Sequence, residues 1–70
     1  MDGKIKVTIN GEEREIPDGL TVSTLLDHLN VKAAAAIVEH NRAVLKKDMY
    51  GSTQVLHGDT LEIVRFVGGG

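Results

Sequence analysis

The stretch Ile5-Lys6-Val7-Thr8-Ile9-Asn10-Gly11-Glu12-Glu13-Arg14-Glu15-Ile16 reads as a β-hairpin. Ile5, Val7 and Ile9 alternate with Lys6 and Thr8, the period of two that puts one side of a strand into a core and the other into water. Asn10-Gly11 is the strongest short hairpin signal, because both residues tolerate the positive φ that a type I′ turn demands. Glu12 to Ile16 is the return strand, acidic and solvent-facing, with Arg14 and Ile16 on one side. Pro17-Asp18-Gly19 supplies the turn that ends it.

Outward from the hairpin the period changes. Thr21 is an N-cap candidate, and Val22, Leu25, Leu26 and Leu29 follow at i, i+3, i+4 and i+7, one apolar stripe on a helix. Asn30 is its C-terminal stop. Ala33 to Val38 carries conflicting signals, since alanine favours helix and Ile37-Val38 favours strand; a strand over 35–40 is expected. Asn41-Arg42 turns the chain into a short strand at 43–45, Lys46 to Tyr50 forms a helical turn closed by Gly51, and His57-Gly58-Asp59 is a turn before a last strand over 60–66. One helix on one side of a small mixed sheet of four or five strands is the economical way to bury a single apolar stripe, an α+β architecture. The last strand is expected beside the first, with the far side of the sheet open. Leu61 and Ile63 then face the helix, Val64 and Phe66 face outward, and Arg65 shares the inner parity but reaches solvent at the strand end.

Seventy residues make one domain, close to the lower limit for a self-sufficient core. Ten acids and eight bases leave a net charge of −2, with no basic stripe and only Tyr50 and Phe66 as aromatics, so the chain has no platform for nucleic acid. No apolar run spans a membrane and no leader pattern precedes the first strand, which makes a cytoplasmic protein the expectation. The absence of cysteine excludes disulfides, thiolate catalysis and cysteine-held metal. Any sulfur handled here is carried on something other than a cysteine side chain.

The chain closes on Gly68-Gly69-Gly70 directly after Leu61-Glu62-Ile63-Val64-Arg65-Phe66-Val67. Glycines without side chains form a narrow segment that can enter another protein's active site, and three residues extend about 10 Å. The Gly70 carboxylate, unhindered by a Cβ, is the candidate reactive group. The bland alternative is an ordinary loose terminus, weakened here because the triplet abuts a strand with no serine-rich spacer. The reading divides the chain into a folded domain over 1–67 and a flexible glycine tail over 68–70, with Val64, Phe66 and Val67 as a docking patch beside the tail.

Over its whole length the chain resembles the ThiS family of sulfur carriers in thiamin thiazole biosynthesis, which are ubiquitin-like β-grasp proteins. The resemblance is carried by Ile9-Asn10-Gly11, Leu20-Thr21-Val22 with Leu25-Leu26, Val38-Glu39-His40-Asn41 and, most specifically, Gly58-Asp59 followed by Leu61 to Gly70. Arg42 stands where a glycine is familiar, Lys46 replaces a frequent proline and Tyr50 a frequent tryptophan, differences that touch a turn and a packing position. The resemblance implies that a ThiF-like enzyme uses Mg-ATP to adenylate Gly70 and that a persulfide donor's sulfur displaces AMP to leave a thiocarboxylate. A ThiG-like thiazole synthase then takes the sulfur, with Gly68 and Gly69 threaded into partner sites. The chain would be a protein cosubstrate, neither an enzyme nor the holder of a cofactor or metal.

Other readings stay open at this point. The small subunit of molybdopterin synthase and ubiquitin-related modifiers use the same terminal adenylate. A non-covalent β-grasp interaction module would use none, and fold alone does not choose among them. His28, His40 and His57 lack ligand-like spacing and are expected to be structural. Asp59 is expected to serve its turn through its side chain.

Overall fold

The computed structural model describes residues 3–66; Val67, Gly68, Gly69 and Gly70, named above as patch and tail, lie outside the described residues. Five strands form one mixed sheet: β1 (Lys4–Ile9), β2 (Glu12–Pro17), β3 (Ala36–His40), β4 (Ala43–Leu45) and β5 (Thr60–Arg65), in the order β2-β1-β5-β3-β4. The pairs β1–β2, β3–β4 and β3–β5 are antiparallel, and β1–β5 is parallel. The last strand thus lies centrally, against the first.

The hairpin forms as the alternation demands. Ile5, Val7 and Ile9 are buried while β2 buries Ile16 alone, and Asn10 and Gly11 both take positive φ, 51° and 82°. Two strands that are mostly acidic and basic on one side can only be held by the apolar row on the other.

Helix α1 (Val22–His28) lies against that row. Its start is a capping box between two threonines: the Thr24 N–H donates to Thr21 Oγ1 at 3.2 Å, and the Thr21 N–H donates to Thr24 Oγ1 at 2.8 Å. Its end is a Schellman motif. Asn30 adopts φ 60°, its N–H reaches the Asp27 carbonyl at 3.0 Å, and the Val31 N–H reaches that of Leu26 at 2.8 Å. Val22, Leu25 and Leu26 are fully buried, each stabilising the fold by about 1.5–3 kcal/mol. Leu29, the fourth residue of the stripe, packs half-buried against the core as the C-cap, where the Schellman turn closes the helix.

The alanine ambiguity resolves by division. Ala33–Ala35 form a 3-10 turn and the strand begins at Ala36, one residue later than expected. Likewise the helical turn after β4 is the 3-10 segment Lys47–Met49, and β5 ends at Arg65 instead of Phe66. The Tyr50 ring is buried and its hydroxyl donates to the Ala36 carbonyl at 3.1 Å, tying the long connection to the start of β3. Among the described residues no helix is long and apolar enough to cross a membrane.

Candidate functional site

Strand alternation sends one side of β3 and β5 to the helix and leaves the other uncovered. Val38, Leu61 and Ile63 go inward, and Ala36 joins them in the core. On the uncovered side Val64 of β5 lies opposite Ile37 of β3, and Glu62 lies opposite Glu39. Val44 follows on β4, opposite Glu39. Phe66 continues the line of β5 beyond its last paired residue, held by its N–H to the Ala35 carbonyl at 2.8 Å.

Val64 and Phe66, both named from the sequence as docking residues, are each 55% exposed. Two further residues of the patch were not: Ile37, 39% exposed, and Val44, 69% exposed. Their signal was parity. Once Val38 faces the core, its neighbour Ile37 must face out, and the cross-strand register then brings it to Val64. A large aliphatic residue that a strand turns to water next to a second one, a valine and a phenylalanine makes a contiguous apolar patch at the end where the chain leaves the sheet.

The base of β5 is fixed by a polar knot. Asp59 Oδ2 accepts from His40 Nε2 at 2.7 Å and from the Leu56 N–H at 2.8 Å, while Oδ1 accepts from Asn41 Nδ2 at 3.2 Å. Asn41 Oδ1 accepts in turn from the Thr60 N–H at 2.9 Å. Burial would push the Asp59 carboxyl up, but the His40, Leu56 and Asn41 donors outweigh it and hold the group below the usual carboxylate range. The expected turn role of Asp59 is present through Leu56; its partnership with His40 across the sheet is an addition. Asn10 secures the other side of β5: its Oδ1 accepts from the Ile63 N–H at 2.7 Å and its Nδ2 donates to the Ile63 carbonyl at 3.2 Å.

The three histidines stay apart. His40 serves the knot, His57 Nδ1 accepts from the Lys6 N–H at 3.1 Å, and His28 borders a hollow of about 500 Å³ on the helix side of the sheet, shared with Leu29, Arg14 and Arg65. The geometry therefore offers neither a nucleophile–base pair nor a ligand cluster among the described residues. It offers the open face of the sheet, apolar and acidic, whose central strand β5 leads in sequence to the glycines.

Comparison with known proteins agrees with this layout. The crystal structure of the thiamine biosynthesis protein ThiS from Geobacter metallireducens superposes with a TM-score of 0.79 at 37% identity, covering 94% of this chain and 100% of that one, which makes the fold a ubiquitin-like β-grasp. The sulfur carrier protein ThiS of Bacillus subtilis is 36% identical over 50 residues, 71% of this chain and 76% of its own length. A thiazole synthase of Paramagnetospirillum magneticum is 44% identical over 66 residues, 94% of this chain but 20% of that protein, so the chain spans about a fifth of the length of that relative. The ThiS family model matches residues 7–70, and the chain belongs to the ThiS family.

Proposed function

We propose that this chain is a sulfur carrier for thiamin thiazole synthesis and that the Gly70 carboxyl is its working group. A carboxylate of ordinary acidity is ionised at neutral pH and resists attack. A ThiF-like enzyme uses Mg-ATP to convert it to an acyl-adenylate, releasing pyrophosphate, and AMP becomes the leaving group. The terminal sulfur of a partner's persulfide attacks the acyl carbon and expels AMP, forming an acyl disulfide. A thiol then cleaves the S–S bond, leaving the Gly70 thiocarboxylate and a disulfide. Gly68 and Gly69 pass through the partner's narrow entry while Val64, Phe66 and Val67 rest on its surface.

The observation that carries the reading is the family match running through Gly70, joined to a sheet that presents Val64 and Phe66 to solvent just before it. The relative named thiazole synthase, in which a segment like this chain is part of a longer protein, supports a ThiG-like synthase as the acceptor. In this reading the chain holds no cofactor of its own and works in the cytoplasm, where its partners find ATP.

Complementation tests it. Removing Gly69 and Gly70 abolishes rescue of a thiamin auxotroph lacking its own carrier, while circular dichroism and melting of the truncated protein match the full chain. Rescue by the truncated chain would favour a non-covalent interaction module.

A further inference from the structure

The two neighbours of β5 hold it unequally. β3 pairs with it as far as Ala36 opposite Arg65, whereas β1 pairs with it only to Ile9 opposite Leu61, because the hairpin turn begins at Asn10. On the β1 side the Asp59 and Leu61 carbonyls accept from the Thr8 and Asn10 N–H groups, each at 2.9 Å, and Ile63 is the next residue to turn its backbone that way. β1 has ended by then, and the Asn10 side chain takes its place. Its Oδ1 accepts from the Ile63 N–H at 2.7 Å and its Nδ2 donates to the Ile63 carbonyl at 3.2 Å. A primary amide offers the same donor and acceptor as a peptide group, so Asn10 serves as one further residue of β1.

Stability is only part of what this clamp supplies. Asn10 and Ile63 both border the hollow of about 500 Å³ on the helix side, where water can take over the two Ile63 groups. Water does not fix the direction of a strand, and the amide does: it gives the far end of β5 a second neighbour where β3 alone would hold it. We infer that Asn10 is a positioning residue for the adenylation step, setting the line along which β5 delivers Gly70 to the adenylating enzyme. Gly68, Gly69 and Gly70 bring no side chain to set their own angle of entry, so the strand before them sets it. Gly70 follows Ile63 by seven residues, at most about 25 Å of chain, and a small swing of the strand end is magnified over that length. A reacting group misplaced by about 1 Å costs up to about 100-fold in rate. The inference deepens the carrier reading and rests on it.

The test compares the original chain with Asn10→Gly, which keeps the positive-φ turn and loses the clamp, and with Thr21→Ala, which weakens the start of the helix. Carrier-dependent exchange of labelled pyrophosphate into ATP by a ThiF-like enzyme is measured against carrier concentration, at a temperature where all three chains are folded. Amide hydrogen exchange is followed in each chain alone. Asn10→Gly is expected to lower kcat about tenfold and to leave KM within about twofold, because the body still docks while fewer bound tails reach ATP. Its Phe66 N–H is expected to exchange faster than that of Thr21→Ala, whose kcat and KM match the original. An unchanged kcat for Asn10→Gly, whatever KM does, would overturn the positioning role. An equal fall in kcat for Thr21→Ala would overturn it too, making the loss a matter of general stability. Either result leaves the carrier reading intact as long as the original chain supports exchange. No exchange with the original chain, by an enzyme active on another carrier, would remove both readings together.

Discussion

Asn10 sits at φ 51° in the β1–β2 turn and returns its amide to both backbone groups of Ile63, at 2.7 Å and 3.2 Å. One side chain thereby tolerates the turn and extends the β1–β5 pairing past the last residue of β1. Asn10→Gly keeps the turn and loses the two hydrogen bonds; Asn10→Ala loses both and adds backbone strain. Urea unfolding is expected to place the glycine variant about 1–3 kcal/mol below the original and the alanine variant lower still. Asp59 makes a second residue-scale prediction. Its carboxyl is held below its unfolded value, so it stabilises the fold above about pH 4 and that contribution is lost as pH falls through the lowered folded value. Asp59→Asn therefore costs about 1–3 kcal/mol at pH 7 and unfolds with a flatter pH dependence between pH 5 and 2, read by denaturant melts across that range. The turn at Asn10 was legible in the sequence because Asn-Gly is a local signal. Its bond to Ile63 and that of His40 to Asp59 were not, because each depends on a register between strands far apart in the chain.

At the scale of elements, the helix shows the same division. Thr21 announces the start of α1, and the stripe of Val22, Leu25 and Leu26 announces its buried side. Thr24 in the reciprocal half of the capping box was hidden, since glutamate or glutamine is the familiar residue there. Leu29 closes the stripe as the C-cap, half-buried against the core, and Asn30 ends the helix by adopting the left-handed conformation. Ala33 to Ala35 defeated a period-based reading because three alanines carry no face, and the strand declares itself only with Ile37 and Val38. Thr21→Ala should lower stability by about 1 kcal/mol, measured by thermal or denaturant unfolding, without altering the sheet. An unchanged stability would mean that Thr24 and the Val22 N–H bond to the Thr53 carbonyl at 2.9 Å hold the helix start by themselves.

For the molecule as a whole, the sheet separates two jobs. One side, with α1, builds the core on which a chain of this size depends to fold. The other exposes Ile37, Val44, Val64 and Phe66 around Glu39 and Glu62, and this side was half legible: Val64 and Phe66 followed from the parity of the last strand, whereas Ile37, Val44 and the opposed acids needed the β3–β5 and β3–β4 registers. Phe66→Ala is expected to leave the melting temperature within a few degrees of the original, its ring being more than half exposed, yet to weaken capture by the adenylating enzyme, measured by calorimetry. Undiminished affinity would move the docking surface elsewhere. The central claim, that Gly70 carries sulfur, is tested most directly by intact mass after incubation with Mg-ATP, a ThiF-like enzyme and a persulfide donor. The account predicts a gain equal to exchanging one oxygen for one sulfur, localised to the peptide ending at Gly70. An unchanged mass, with the same enzyme shown active on another carrier, would contradict it.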